Sequence, residues 1–192
     1  MDSSGKSYYG EHSCQYIQLE GGKQRVFVPV FDSLIQDLVW SPSGEQFIVI
    51  SGMQPAVATL YDKNCNPIFE FGKRYRNTIR ICPFSQTVLI GGFGNLAGEV
   101  DLWDLEKHHE LGKTYKAYCT VGIEWAPDAK HLLSAVLYER VKVDNEVRIY
   151  NALGSLVCNL CYKDSELYEA HWQPYPRGTF LKPDLSKLKK QR

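Results

Sequence analysis

Ile90-Gly91-Gly92-Phe93-Gly94-Asn95-Leu96-Ala97-Gly98-Glu99-Val100-Asp101-Leu102-Trp103-Asp104-Leu105 is the stretch whose reading decides the fold. An apolar run, 88–90, enters a Gly/Asn-rich turn, and Val100, Leu102 and the Trp103-Asp104 pair follow as a strand of alternating character. The result is a hairpin ending in a Trp-Asp dipeptide, a composition cue for the third strand of a β-propeller blade. A blade cannot bury its apolar faces alone, so the rest of the chain is expected to repeat around it.

The repeat is present. Trp40-Ser41-Pro42, Trp125-Ala126-Pro127 and Trp172-Gln173-Pro174 share a W-x-P pattern, and Ile81-Cys82-Pro83 occupies the same slot with Ile for Trp. The anchors at 40, 81, 125 and 172 are separated by 41, 44 and 47 residues, close to the spacing of four-stranded blades. Two residues before each anchor stand Leu38, Ile79, Ile123 and Ala170, with Val39, Arg80, Glu124 and His171 between. The period is therefore two, and each segment is a strand whose anchor faces a packed layer. The Pro two residues later ends that strand, because it has no amide proton for a ladder.

Strands are expected at 13–19 and 24–30, then at 35–40, 46–50, 57–62 and 67–71 in a first full blade. A second blade runs over 78–115, with its fourth strand near 111–115. A third has strands at 121–125, 131–137, 146–150 and 156–162 around a polar hairpin at 138–145, and 168–172 opens one more. The fold class is thus all-β: a WD-repeat-like β-propeller of three complete four-stranded blades with partial blades at both ends, a fragment of a larger propeller. The units are a partial blade over 1–33, blades over 34–73, 74–116 and 117–166, a first strand of the next blade over 167–180, and a basic tail over 181–192. A small closed ring, with 168–172 completing the N-terminal strands, is the rival architecture.

Composition bounds the function. The 22 basic and 22 acidic residues cancel, so the surface is not the uniformly positive one of a non-specific nucleic-acid binder, and any RNA contact must be local. No run of 18 apolar residues spans a membrane, and the residues after Met1 lack the features of a secretory signal. Six cysteines read as reduced core thiols of a cytosolic chain.

Catalytic and metal chemistry find little support. Gly92, Gly94 and Gly98 miss the dinucleotide spacing by one and precede a strand, so they read as a hairpin needing positive φ rather than a phosphate seat. Cys158 and Cys161 have a zinc-knuckle spacing, but residues i and i+3 of a strand point to opposite faces and no second ligand pair exists. His108-His109 reads as a solvated connector, and no nucleophile sits on an elbow beside a histidine. The chain is therefore expected to be no enzyme, with no cofactor and no metal.

Local basic sites remain. Lys73-Arg74-Tyr75-Arg76 reads as the connector between two blades, where an aromatic flanked by guanidiniums can stack on a base and pair phosphates; its bland alternative is a solvated turn. The tail carries Lys187, Lys189 and Lys190 among six basic residues from Arg177 onward, against the single acid Asp184. Arg140 and Lys142 on the long hairpin form a third, weaker patch.

The 91–104 stretch also resembles the hallmark of the eukaryotic translation initiation factor 2A family. Tyr8-Tyr9-Gly10-Glu11, Val39-Trp40-Ser41-Pro42, Cys65-Asn66-Pro67, Phe69-Glu70-Phe71-Gly72, Arg76-Asn77, Arg140-Val141-Lys142-Val143-Asp144-Asn145 and His171-Trp172-Gln173-Pro174 resemble it in the same order. The chain departs from that pattern at Val57 and at Ile81-Cys82. The resemblance implies the C-terminal half of a larger propeller that acts in cytoplasmic translation initiation. It implies contacts to the small ribosomal subunit, to initiator tRNA or mRNA, and to other initiation factors. A protein-only WD-repeat scaffold and the propeller subunit of initiation factor three are the competing readings.

Overall fold

The computed structural model describes residues 14–20, 23–27, 34–176 and 178–188. The chain is all-β, with a two-stranded ribbon and three antiparallel sheets. The ribbon pairs β1 (Tyr16–Glu20) with β2 (Lys23–Phe27). The first sheet runs β3 (Ile35–Trp40), β4 (Gln46–Ser51), β5 (Ala56–Asp62) and β6 (Pro67–Arg74). The second holds β7 (Thr78–Ile81), β8 (Thr87–Gly91) and β9 (Glu99–Asp104), with β10 (His109–Glu110) and β11 (Tyr115–Lys116) both paired to β9. The third runs β12 (Gly122–Trp125), β13 (His131–Val136), β14 (Asn145–Asn151) and β15 (Leu156–Tyr162).

Each sheet is a meander whose first strands, β3, β7 and β12, lie side by side, as in a propeller. One hairpin recurs at the end of each first strand. The residue after the anchor (Ser41, Cys82, Ala126) donates its amide to the carbonyl opening the second strand (Gln46, Thr87, His131) at 2.8–2.9 Å. Its carbonyl then accepts from Gly44, Ser85 or Ala129 at 2.9 Å. Those three residues have φ of 73°, 57° and 54°. A second turn recurs at the end of each third strand. Asp62 Oδ1 accepts the amides of Asn64 and Asn66, Asp104 Oδ1 those of Glu106 and Lys107, and Asn151 Oδ1 those of Leu153 and Ser155. Tyr61-Asp62 and Tyr150-Asn151 are thus the counterparts of Trp103-Asp104. The acidic or amide side chain is needed because it satisfies turn amides that have no ladder partner.

Two cores lie between the sheets. Ile48, Ile50, Ala58, Leu60 and Phe71 of the first sheet meet Ile79, Val88, Ile90 and Leu105 of the second. Leu89, Val100, Leu102 and Leu111 on the other face of the second meet Ile123, Trp125, Leu132 and Tyr150 of the third. The second strands are consequently apolar at successive positions, because both of their faces are covered. Polar side chains stitch the first strands together: Asp37 Oδ2 accepts from the Ile79 amide at 2.7 Å, and Arg80 Nε donates to the Ile123 carbonyl at 3.2 Å.

Several expectations need correction. The fourth strand of the second sheet is split into β10 and β11, on either side of 111–114, instead of running over 111–115. β6 extends to Arg74, so Lys73 and Arg74 pair with Val57 and Ala56 and do not belong to the connector. His108 has φ 54° and stacks on Phe69 of the preceding sheet at 4.8 Å, so it is half-buried packing and not a solvated turn residue. Residues 168–172 form no strand. They lie extended, with Leu167, Ala170 and Trp172 packed on Leu133, Ala135 and Val147 of the third sheet. The Trp172 amide is taken up by Glu124 Oε1 at 2.5 Å. Pro174 and Pro176 lack ladder donors, and Pro183, Leu185 and Leu188 dock back against the second sheet and the core beside it, so among the described residues no strand pairs with 168–172. Among the described residues no ladder joins 168–172 to β1 or β2, which pair only with each other. No helix among them is long and apolar enough to cross a membrane.

Candidate nucleic-acid interface

A four-stranded meander puts its central hairpin loop and the connector to the next sheet at one end, and its two other hairpins at the opposite end. The first end holds 52–55, 75–77, 92–98, 117–121, 137–144 and 163–168; the Asx and W-x-P turns are at the other. Most of the basic residues singled out from the sequence fall at the connector end, but they are not equally free to meet a ligand.

Arg76 is buried, 1% exposed, and its Nη2 donates to Asp101 Oδ2 at 3.2 Å. Arg74 Nη1 donates to Asp101 Oδ1 at 2.5 Å and lies 2.7 Å from Glu110, while Thr114, in the gap between β10 and β11, donates to the same Asp101 oxygen at 2.7 Å. Burial works to lower the Arg74 pKa, but the charges of Asp101 and Glu110 outweigh it and leave it raised. At Arg76 burial prevails over Asp101, with repulsion from Arg74 adding to it, and the pKa is lowered. These two guanidiniums therefore bolt the outer strand of one sheet to the third strand of the next. Burial removes Arg76 from any surface role, and Arg74, 39% exposed, already has two carboxylate partners.

Tyr75 lies between them and points outward, 57% exposed. Its connector is clamped on both sides. Gln54 Nε2 donates to the Arg76 carbonyl at 2.6 Å and its Oε1 accepts the Arg76 amide at 3.0 Å, while Asn77 exchanges two hydrogen bonds of 2.9 Å with the Phe93 backbone. The glycine turn is packed against the same connector. A Cβ on Gly92 would sit 2.3 Å from the Tyr75 carbonyl oxygen, and one on Gly98, whose φ is 79°, would sit 2.6 Å from that of Ala117. Gly92 is thus a close-approach glycine, and the left-handed positions of this turn are Gly94 and Gly98.

Lys73, Arg140 and Lys142 are exposed. Arg140 Nη2 donates to the Gly94 carbonyl at 2.7 Å, tying the long hairpin to the glycine turn, and Lys142 Nζ stands 4.2 Å over the Tyr138 ring. Three residues missed in the sequence join them. Tyr118 is 56% exposed with Lys116 Nζ 5.8 Å above its ring, and Tyr168 is 51% exposed with its ring 5.5 Å from that of Tyr138. The Tyr168 hydroxyl donates to Glu166, which raises the pKa of Tyr168 and of Tyr138. The signal was present: Tyr75, Tyr118 and Tyr168 each precede the next anchor by four to seven residues.

Lys187 lies elsewhere. It is at the W-x-P end beside Lys130, His131 and Leu153, and pairs with Asp184 at 3.5 Å. Lys182 pairs with Glu106 at 2.5 Å. The tail up to Leu188 is thus docked, not a free arm; Lys189 and Lys190 lie outside the described residues. The same end carries a cleft of about 630 Å³ lined by the four repeat prolines Pro42, Pro83, Pro127 and Pro174 with Trp125 and Trp172.

The family model described as "Eukaryotic translation initiation factor eIF2A" matches residues 1–170. "Eukaryotic translation initiation factor 2A" of Dictyostelium discoideum is 35% identical over 98% of this chain and 31% of its own length. One of the subunits of eukaryotic translation initiation factor 3 from Xenopus laevis is 23% identical over 79% of this chain and 22% of its own. A solved structure titled "Crystal structure of the eukaryotic initiation factor" superposes with a TM-score of 0.73 at 27% identity, covering 83% of this chain and 42% of that one. The chain spans about a third of the length of the curated factor 2A relatives it matches.

Proposed function

Because the chain belongs to the eukaryotic translation initiation factor eIF2A family, we propose that it is a non-catalytic propeller module of cytoplasmic protein synthesis that binds RNA of the initiation machinery, ribosomal or tRNA and mRNA, through its connector end. One observation carries this reading: exposed cations on strand ends and on the long hairpin stand beside exposed aromatics of hydrogen-bonded connectors at that end, on a chain whose formal net charge is zero. A neutral body cannot hold a polyanion by overall attraction, so binding rests on the few phosphates that Lys73, Arg140 and Lys142 reach, with Lys116, which also faces Glu99 at 3.7 Å, as a fourth contact. The units 1–180 and 181–192 belong to this proposal as propeller fragment and tail.

The test is binding to a structured RNA and to purified small ribosomal subunits across a salt series. Three or four phosphate contacts give a logarithmic salt slope of roughly 2 to 4. Charge reversal at Lys73, Arg140 and Lys142 should flatten it by about 2 to 3, while reversal at Lys187 reads the contribution of the opposite end and reversal at Lys189 and Lys190 tests the remaining basic residues of the tail. The proline and aromatic cleft favours a second reading, a scaffold that binds only protein. Failure of the folded chain to bind RNA or small ribosomal subunits at low salt would leave that reading standing and remove the first.

A further inference from the structure

Resting on the reading that the connector end binds RNA, we infer that its tyrosines make it a reader of single-stranded RNA with splayed bases, taken up at one base per blade. Tyr75, Tyr118 and Tyr168 stand on three successive connectors, and each is more than half exposed. An exposed tyrosine alone is ordinary; a tyrosine on each of three successive connectors, four to seven residues before the next anchor and on backbone clamped from both sides, is a built feature. Gln54 and Asn77 hold the first connector. The second is held by the Gly98 carbonyl accepting from the Ala117 amide at 2.8 Å and by Arg148 Nη1 donating to the Tyr118 carbonyl at 3.1 Å. On the third, Asn145 Oδ1 accepts the Leu167 amide at 3.1 Å while the Leu167 carbonyl accepts from Tyr138 at 2.7 Å. The rings are thus presented at little entropic cost, which is what a stacking platform requires.

The platforms are continuous with one another. The glycine turn touches the Tyr75 connector through Gly92 and the Tyr118 connector through Gly98, and Arg140 reaches its middle at Gly94. Cations are interleaved: Lys116 over Tyr118, Lys142 over Tyr138, and Tyr138 against Tyr168. This alternation serves backbone and base together, cations toward phosphate and rings toward base faces.

Spacing then selects the ligand. Packed sheets stand about 10 Å apart, whereas stacked bases follow one another every 3.4 Å or so along a strand. A duplex, whose bases are stacked on their neighbours, offers no free face to rings so placed. A single strand whose bases are turned out does, and the phosphates between successive bases pass the interleaved cations.

The experiment uses the full chain with labelled oligo-uridine and a self-complementary duplex of equal length at low salt. Expected are preference for the single strand and a loss of roughly 5- to 150-fold for each of Tyr75→Ala, Tyr118→Ala and Tyr168→Ala, with the Phe variants retaining affinity. The salt slope should stay unchanged in the Ala variants, because a ring carries no charge. Equal affinity for duplex and single strand, or Ala variants that bind as the wild type while salt-dependent binding persists, overturns the stacking inference and leaves the cation reading intact. A folded wild type that binds neither RNA but captures a protein partner overturns both. Urea titration of each variant separates a lost contact from a lost fold.

Discussion

Asp101 and Arg76 form a buried pair whose two halves should prove unequal. Asp101→Ala removes the ion-pair partner of the Arg76 guanidinium, which is 1% exposed, and leaves only the more distant charge of Glu110; breaking a buried pair in this way costs about 3–5 kcal/mol. Arginine keeps its proton across the ordinary pH range, so neutralisation offers no escape. Arg76→Met leaves Asp101 still bonded to Arg74 at 2.5 Å and to Thr114 at 2.7 Å. The charge-assisted bond it removes is worth about 1.5–3 kcal/mol. Among the described residues, however, Arg76 Nε and Nη1 have no hydrogen-bond partner, and relieving such donors returns about 1–3 kcal/mol each. Arg76→Met should therefore cost at most about 1 kcal/mol, and the double variant should be more stable than Asp101→Ala by about 2 kcal/mol or more. Urea unfolding of the four proteins measures the whole cycle. An Asp101→Ala loss below about 1 kcal/mol, or an Arg76→Met loss as large as that of Asp101→Ala, would refute the reasoning, since both predictions follow from the same asymmetry of partners.

Trp125 is buried in the core between the second and third sheets and donates Nε1 to the Arg80 carbonyl at 2.7 Å, so Trp125→Ala should cost about 3–5 kcal/mol in urea titration. Trp40 and Trp172, only half-buried, should cost less on the same substitution. Gly98→Ala combines a left-handed backbone with a contact of 2.6 Å to the Ala117 carbonyl, so it should lose at least about 1–3 kcal/mol and displace Tyr118, seen as weakened RNA binding. The side-chain bond from Asn66, and then the turn amides, lower the Asp62 pKa in the folded chain. A lowered folded pKa means a contribution present above the unfolded value and lost as pH falls through the folded one. The stability gap between wild type and Asp62→Asn should accordingly be constant near neutrality and shrink below about pH 4.

Much of the architecture was legible in the order of residues alone. Prolines after an apolar anchor, glycines in a turn and an acid closing a strand act on their own or adjacent backbone, so a recurrence of 41 to 47 residues could be read without knowing what packed on what. The strand limits of the first and third sheets followed from the same local chemistry to within a residue or so, except for β6, which runs on to Arg74 because Lys73 and Arg74 pair with Val57 and Ala56. The two turns built on Asp62 and Asn151 obeyed it too, but stood hidden behind a Tyr where the second sheet has Trp103. What only the tertiary structure decided was which charges face water. Lys73, Arg74 and Arg76 are near neighbours in sequence, yet one is exposed, one is paired and one is buried, because Asp101 and Glu110 of the next sheet stand against two of them. The tail looked like a free arm because its docking residues, Pro183, Leu185 and Leu188, find their partners about a hundred residues away at Gln86 and around Leu89. Backbone preference is set by the residue and its neighbours; exposure and ionic partnership are set by surfaces the chain brings together from a distance.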